Sequence, residues 1–291
     1  MKESRSLKLL TILFAVWLFP TCGHGDEIVP NASFEKTYIR QAEEPEIQNL
    51  KKLGWKLADP VVWPSGWGAA PVSIVQFEVT QNNPHSGSNC ILLTGQSGSS
   101  GYLGVQVKGL KEGIYRASFF SRGEGTVTLM VGGTHIILNA KPGAEWTELA
   151  GIYRHGGASD ETSVTLQAQN GTIFIDDVSL IPCDPLEAMV VEEKELLRRE
   201  GKLPTGDGMT REVFAGHLAA VREALPKLTE YVKADPIPEN VSIINLLGTR
   251  MADLEKIQGA PDREQAQKAI IYHNITENLL TELQFEDAKE E

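Results

Sequence analysis

The chain has 291 residues and a formal net charge of −12, with 27 Lys and Arg against 39 Asp and Glu. That acidity argues against a partner gripped through a phosphate backbone, which wants clustered Lys and Arg, so no nucleic acid is expected. The length leaves room for two modest domains.

The opening residues carry Lys2, Arg5 and Lys8, then an apolar run over 9–19, then Pro20 and the small residues Gly23 and Gly25. The run is too short to cross a bilayer comfortably and reads as an export signal, 1–25, cut after Gly25. The competing reading is a lipoprotein anchored through Cys22, although Phe19, Pro20 and Thr21 lack the small residues that such processing resembles. No later stretch is apolar enough to span a membrane. The expected product is therefore exported: extracellular, periplasmic or at the cell surface.

Beyond the signal, "IVPNASFE" (28–35) sets the turn formers Pro30 and Asn31 before an apolar pair that reads as a strand, with Glu35 at its end. Between Asp59 and Lys108 the only formal charge is Glu78. That interior holds Trp63, Trp67 and Tyr102, the amides Gln76 and Gln106, and many Ser and Gly. Aromatic rings can lie on the C–H faces of a sugar, and amides can pair with its hydroxyls without desolvating a full charge. The competing reading places those tryptophans in the core.

Alternating runs follow: "YRASFFSR" (115–122), "TVTLMVGG" (126–133), "HIILNA" (135–140), "SVTLQAQ" (163–169) and "TIFIDDVSLI" (172–181). Gly, Pro, Asn and Asp punctuate them, and no helical period intervenes. Short strands so spaced indicate a β-sandwich over 26–183. If Cys22 leaves with the signal, Cys90 and Cys183 remain, either as a disulfide or as two buried thiols. Cys90 in an early strand and Cys183 after the closing strand could lie side by side, and the pairing is the expectation carried forward.

At Asp184 the texture turns helical. Phe214, Leu218, Val221, Leu225, Leu228 and Val232 step by four and three, and Leu247, Met251 and Leu254 continue the habit. Pro204, Pro236, Pro238 and Pro261 cut 184–291 into four helical pieces, with Pro226 kinking the second. The apolar stripes must be covered, either by packing on one another or by self-association or a protein partner along this tail.

Motifs for hydrolysis, phosphate binding and metal knuckles are missing, and the six histidines have no obvious mates in sequence. No catalytic constellation is visible, and an enzyme is not expected.

In order, "PNASFE", Gly54-Trp55, "HSGSNCILL" (85–93), "GLKEGIYRASFFSRGEG" (109–125), Trp146-Thr147 and "FIDDVSL" (174–180) together resemble carbohydrate-binding modules of families 4, 9 and 22. The resemblance covers 28–182 and departs from the pattern in an insert at 36–53. It implies a galactose-binding-like jelly roll, hence a mainly β fold followed by a helical region. It also implies a non-catalytic protein that binds polysaccharide, accessory to polysaccharide degradation or to the cell envelope. Trp63, Trp67, Gln76, Tyr102 and Gln106 are the candidate sugar contacts. The resemblance further implies a structural Ca2+, held by Glu35 and by Asp176 or Asp177, with oxygens of the 85–89 loop, His85 and Ser88 among them, completing the shell. A structural or protein-binding sandwich without a sugar site is the alternative, and a glycoside hydrolase the third reading.

Overall fold

A computed structural model describes residues 28–70, 75–95, 101–133, 135–234 and 236–290. The expected signal and Cys22 lie outside the described residues. The elements run β1 (Thr37–Arg40), α1 (Pro45–Lys52), β2 (Lys56–Leu57), β3 (Val61–Pro64), β4 (Trp67–Ala70), β5 (Val75–Thr80), β6 (Cys90–Gly95), β7 (Gly101–Lys108), β8 (Gly113–Val131), β9 (His135–Ala140), β10 (Thr147–His155) and β11 (Glu161–Pro182). Four helices follow: α2 (Pro185–Arg199), α3 (Arg211–Ala234), α4 (Pro238–Glu255) and α5 (Arg263–Glu290). Helix and strand take near-equal shares, so the fold is mixed; the expectation of a mainly β chain underweighted the length of the helical half.

The strand region is a sandwich of two sheets joined by β8 and β11, each of which runs through both. In the first sheet the order is β10-β8-β11-β6-β5-β2. In the second, β4, β7, β11, β8 and β9 lie side by side. Residues 161–168 of β11 pair with β7, and 171–175 pair with β6, with a register break against β8 between Gln169 and Thr172. Alternation along each strand supplies the core, because successive side chains point to opposite faces. Val105, Val107, Val164, Leu166, Ala168, Leu129 and Val131 from the second sheet meet Phe77, Ile91, Leu93, Ile173, Ile175 and Phe119 from the first.

The 28–36 segment is a tight turn where a strand was expected. Asn31 and Phe34 both take positive φ, and Asn31 ties the turn by donating from Nδ2 to the carbonyls of Lys36 and Ser65. Phe34 is driven fully into the core, and Ala32 accepts a bond from the Val178 N–H, which joins the first turn to the last strand.

The 36–53 insert is also ordered. Its strand β1 pairs with β3, and α1 buries Ile47 and Leu50 against the sandwich. Pro45 stands in the first turn of α1, where its missing N–H costs nothing.

The change from strand to helix falls at Cys183 and Asp184. Asp184 caps α2 by accepting from the Glu187 N–H at 2.7 Å, with Pro185 in the first turn. The predicted helical stripes face one another: Phe214, Leu218, Val221, Leu247, Met251, Leu254 and Ile275 form one core with Leu186. Helix α3 continues through Pro226, with Leu228 and Val232 still buried. The bundle docks on the sandwich through α2, whose Ala188 and Val191 pack on Ile152, with Arg154 and Glu192 paired at 2.6 Å. No helix of the described residues is long and apolar enough to cross a membrane.

Candidate functional site

Trp63 and Trp67 belong to the core, at 1% and 4% exposure, which corrects the expectation that they stack on a sugar. Trp63 lies 4.5 Å from the Phe77 ring and donates from Nε1 to the Trp67 carbonyl at 2.7 Å. Trp67 packs on Phe34 and turns its Nε1 toward the Pro30 and Asn31 carbonyls. Strand pairing decides this. Trp63 is opposite Tyr38 of β1, and Trp67 is opposite Val105, an inward residue of β7. Composition had signalled a sugar surface at 60–107, but it cannot tell which side of a strand a ring takes.

The amides divide between the sheets. Gln76 is exposed on β5 opposite Thr94, in the first sheet. Tyr102 and Gln106 stand on the outer side of β7, in the second sheet, since Leu103, Val105 and Val107 between and beside them face inward.

Three side chains that the sequence reading had not singled out join Tyr102. The register places Gln167 of β11 opposite both Tyr102 and Thr128, and Thr128 opposite Asn139 of β9. Gln167 Nε2 lies 3.3 Å from the Tyr102 hydroxyl oxygen and donates to it. One row thus crosses four strands: Tyr102, Gln167, Thr128, Asn139. A neighbouring row runs Gly68, Gly104, Thr165, Met130, and Gln106 pairs with Ser163 beyond it. All of these side chains are uncharged; the nearest charges in register, Lys108 and Glu161, neutralise one another at 2.6 Å at the strand end.

Outer-face residues of a sheet open to water are ordinarily well exposed, yet Thr128 is 3% exposed and Gln167 6%. The middle of the row is therefore recessed between its two ends, where Tyr102 is half-buried and Asn139 exposed. Buried amides and hydroxyls want partners, and Gln167 has one in the Tyr102 hydroxyl. The signal was in the alternate residues Ser163, Thr165 and Gln167 of "SVTLQAQ", legible as one face but not as a face opposite Tyr102.

The residues implied for calcium do gather at one loop. Glu35 Oε1 accepts from the backbone N–H groups of Ser88 and Asn89, both at 2.9 Å. Asp176 Oδ2 accepts from the N–H groups of His85 and Ser86 at 2.9 and 3.1 Å. Asp177 pairs with His85 Nδ1 at 2.6 Å and accepts from the Ser86 hydroxyl at 2.7 Å. Gly87 sits in the middle at φ +57, and a Cβ there would lie 2.5 Å from Glu35 Oε1, so a side chain would push the carboxylate from its place.

This donor set does not fit a cation. The loop's N–H groups already engage Glu35 Oε1 and Asp176 Oδ2, whereas calcium takes six to eight oxygens. Among the described residues no group of three or more His, Cys, Asp or Glu is placed to hold a metal ion. The arrangement works as a hydrogen-bonded lock between the first turn, the 85–89 loop and the last strand. Asp176 is fully buried, and desolvation pushes its carboxyl up to about 6 against the pull of three backbone N–H bonds. Arg122, held over Phe174 and Trp146, donates to the Asn82 carbonyl at 2.7 Å, three residues before that loop. Excess chelator is accordingly expected to shift the melting temperature of the full chain by less than about 1 °C, against the several degrees that loss of a bound structural cation produces. A fall of several degrees, with metal recovered by elemental analysis, would restore the calcium reading.

Cys90 and Cys183 are free thiols, not a disulfide. Ile91 pairs with Ile175, so Cys90 lies level with Asp176, while Cys183 stands seven residues further on, just past the end of β11. At about 3.3 Å per residue that separates them by roughly 20 Å, far beyond bridging distance.

No family model matches the chain, and no curated protein does. Solved structures similar to it include carbohydrate-binding modules and the enzymatically active domain of a bacteriophage tailspike protein. A family 61 module in complex with β-1,4-galactotriose is 21% identical at a TM-score of 0.33, over 41% of this chain and 90% of that one. A xylan-binding family 22 domain from Paenibacillus barcinonensis is 15% identical at 0.32, over 40% and 85%. A family 4 module is 14% identical at 0.34, over 53% and 99%.

Proposed function

We propose that this chain is an exported, non-catalytic glycan-binding protein that holds a neutral polysaccharide against the outer face of the second sheet. The observation that carries the reading is the recessed, uncharged row Tyr102, Gln167, Thr128 and Asn139. Its amides and hydroxyls can exchange hydrogen bonds with sugar hydroxyls, and Tyr102 supplies the one aromatic ring among the described residues of these rows. A neutral face makes few charged contacts, so binding should change little with salt.

The test is a pull-down and titration of the mature protein on neutral polysaccharides, xylan and β-1,4-galactan first. Tyr102→Ala and Gln167→Ala are each expected to weaken binding by about 10–100-fold, the 1–3 kcal/mol typical of anchoring side chains. Melting should change far less than binding. Absence of binding to every glycan, or wild-type affinity in both variants, would replace this reading with a protein-binding or purely structural sandwich. Release of reducing sugar would make the protein a hydrolase.

A further inference from the structure

The histidines without mates in sequence include two that meet in space. His217 on α3 and His273 on α5 bring their Nδ1 atoms to 2.9 Å, with ring centroids 5.2 Å apart and the planes at 62°. Both are partly exposed, so the pair is open to solvent at the surface of the bundle. Two Nδ1 atoms this close can share one proton or one metal ion; two protonated rings would repel.

We propose that His217 and His273 form a two-imidazole clip for a late first-row transition metal, Cu2+, Ni2+ or Zn2+, bridging α3 and α5. Metal–imidazole bonds of about 2.0–2.1 Å reach both nitrogens from one point at an angle near 90°, and opening the gap by about 0.5 Å gives the tetrahedral angle. On the far side of the His273 ring, Glu277 Oε1 is 3.9 Å from Nε2. A carboxylate there favours the proton on Nε2 and leaves Nδ1 as a lone pair for the metal. Water fills the remaining positions, since no third His, Cys, Asp or Glu converges among the described residues.

The site lies in the helical half and is independent of the glycan reading. Its test is thermal melting of the untagged, chelator-treated full chain during titration with each metal. A saturable rise is expected, about 3–6 °C at free metal roughly tenfold above the dissociation constant, ordered Cu2+ over Ni2+ and Zn2+ and absent with Mg2+. His217→Ala and His273→Ala should abolish the rise, and His135→Ala, an exposed strand position, should leave it intact. Should either helix variant fail to fold, electron paramagnetic resonance of the Cu2+ complex of the wild type decides, by counting ligated imidazole nitrogens. Two nitrogens support the clip; one or none, or a rise that survives both substitutions, overturns it.

Discussion

Gly123→Ala is expected to unfold the sandwich or to cost more than about 4 kcal/mol, the range reserved for backbone clashes and large core defects. Gly123 stands where β8 passes from one sheet to the other, at φ +122, and its N–H reaches the Gly143 carbonyl at 2.8 Å. A Cβ there would lie 2.3 Å from the Thr172 carbonyl oxygen and 3.2 Å from the Ile173 Cα. Both are backbone atoms of the paired strand, so no side chain can step aside. The left-handed φ adds its own penalty for any residue with a Cβ. Urea unfolding monitored by tryptophan fluorescence measures the loss, with Glu124→Ala as the neighbouring exposed control, expected within about 0.5 kcal/mol of wild type. A Gly123→Ala protein that melts like the control would mean that the strand crossing tolerates a side chain, and the account of the two-sheet strand would fail.

Trp63→Ala carries the second largest expected effect, about 3–5 kcal/mol of stability. Removing the ring empties the space beside Phe77 and leaves Arg40, whose Cζ is 5.5 Å from the ring, without its aromatic platform. The Trp67 carbonyl loses the buried Nε1 donor. In a domain of this size the melting temperature should fall by roughly 2–4 °C for each kcal/mol. At temperatures where the variant stays folded, glycan affinity should stay within about twofold of wild type, because the ring faces the core and not the recessed row. A stable variant with lost binding would invert both statements.

Most of the chain's architecture was readable as a string. Alternation marked 115–140 and 163–181 as strands, and three-four spacing with prolines at 204, 236, 238 and 261 marked four helices. Both are local signals, since each element's apolar period is written in its own residues. The order in the 36–53 insert was not read from the sequence: Ile47 and Leu50 sit at helical spacing, but a helix of eight residues, about two turns, is too short to separate from a loop.

The sequence by itself determined the acidic charge, the strand-rich first half, the helical second half and the change at Asp184, because these depend on composition and near-neighbour spacing. It also singled out Tyr102 and Gln106 as candidate sugar contacts, and both stand on the outer side of one strand. Tertiary structure alone decided the rest. Whether Trp67 faces core or solvent follows from its register against Val105. Whether Cys90 reaches Cys183 follows from the alignment of Ile91 with Ile175. Gln167 meets Tyr102 across 65 residues, and His217 meets His273 across 56. Each of these is a long-range pairing, fixed by how strands and helices align when the whole core closes, and no window of neighbouring residues contains it.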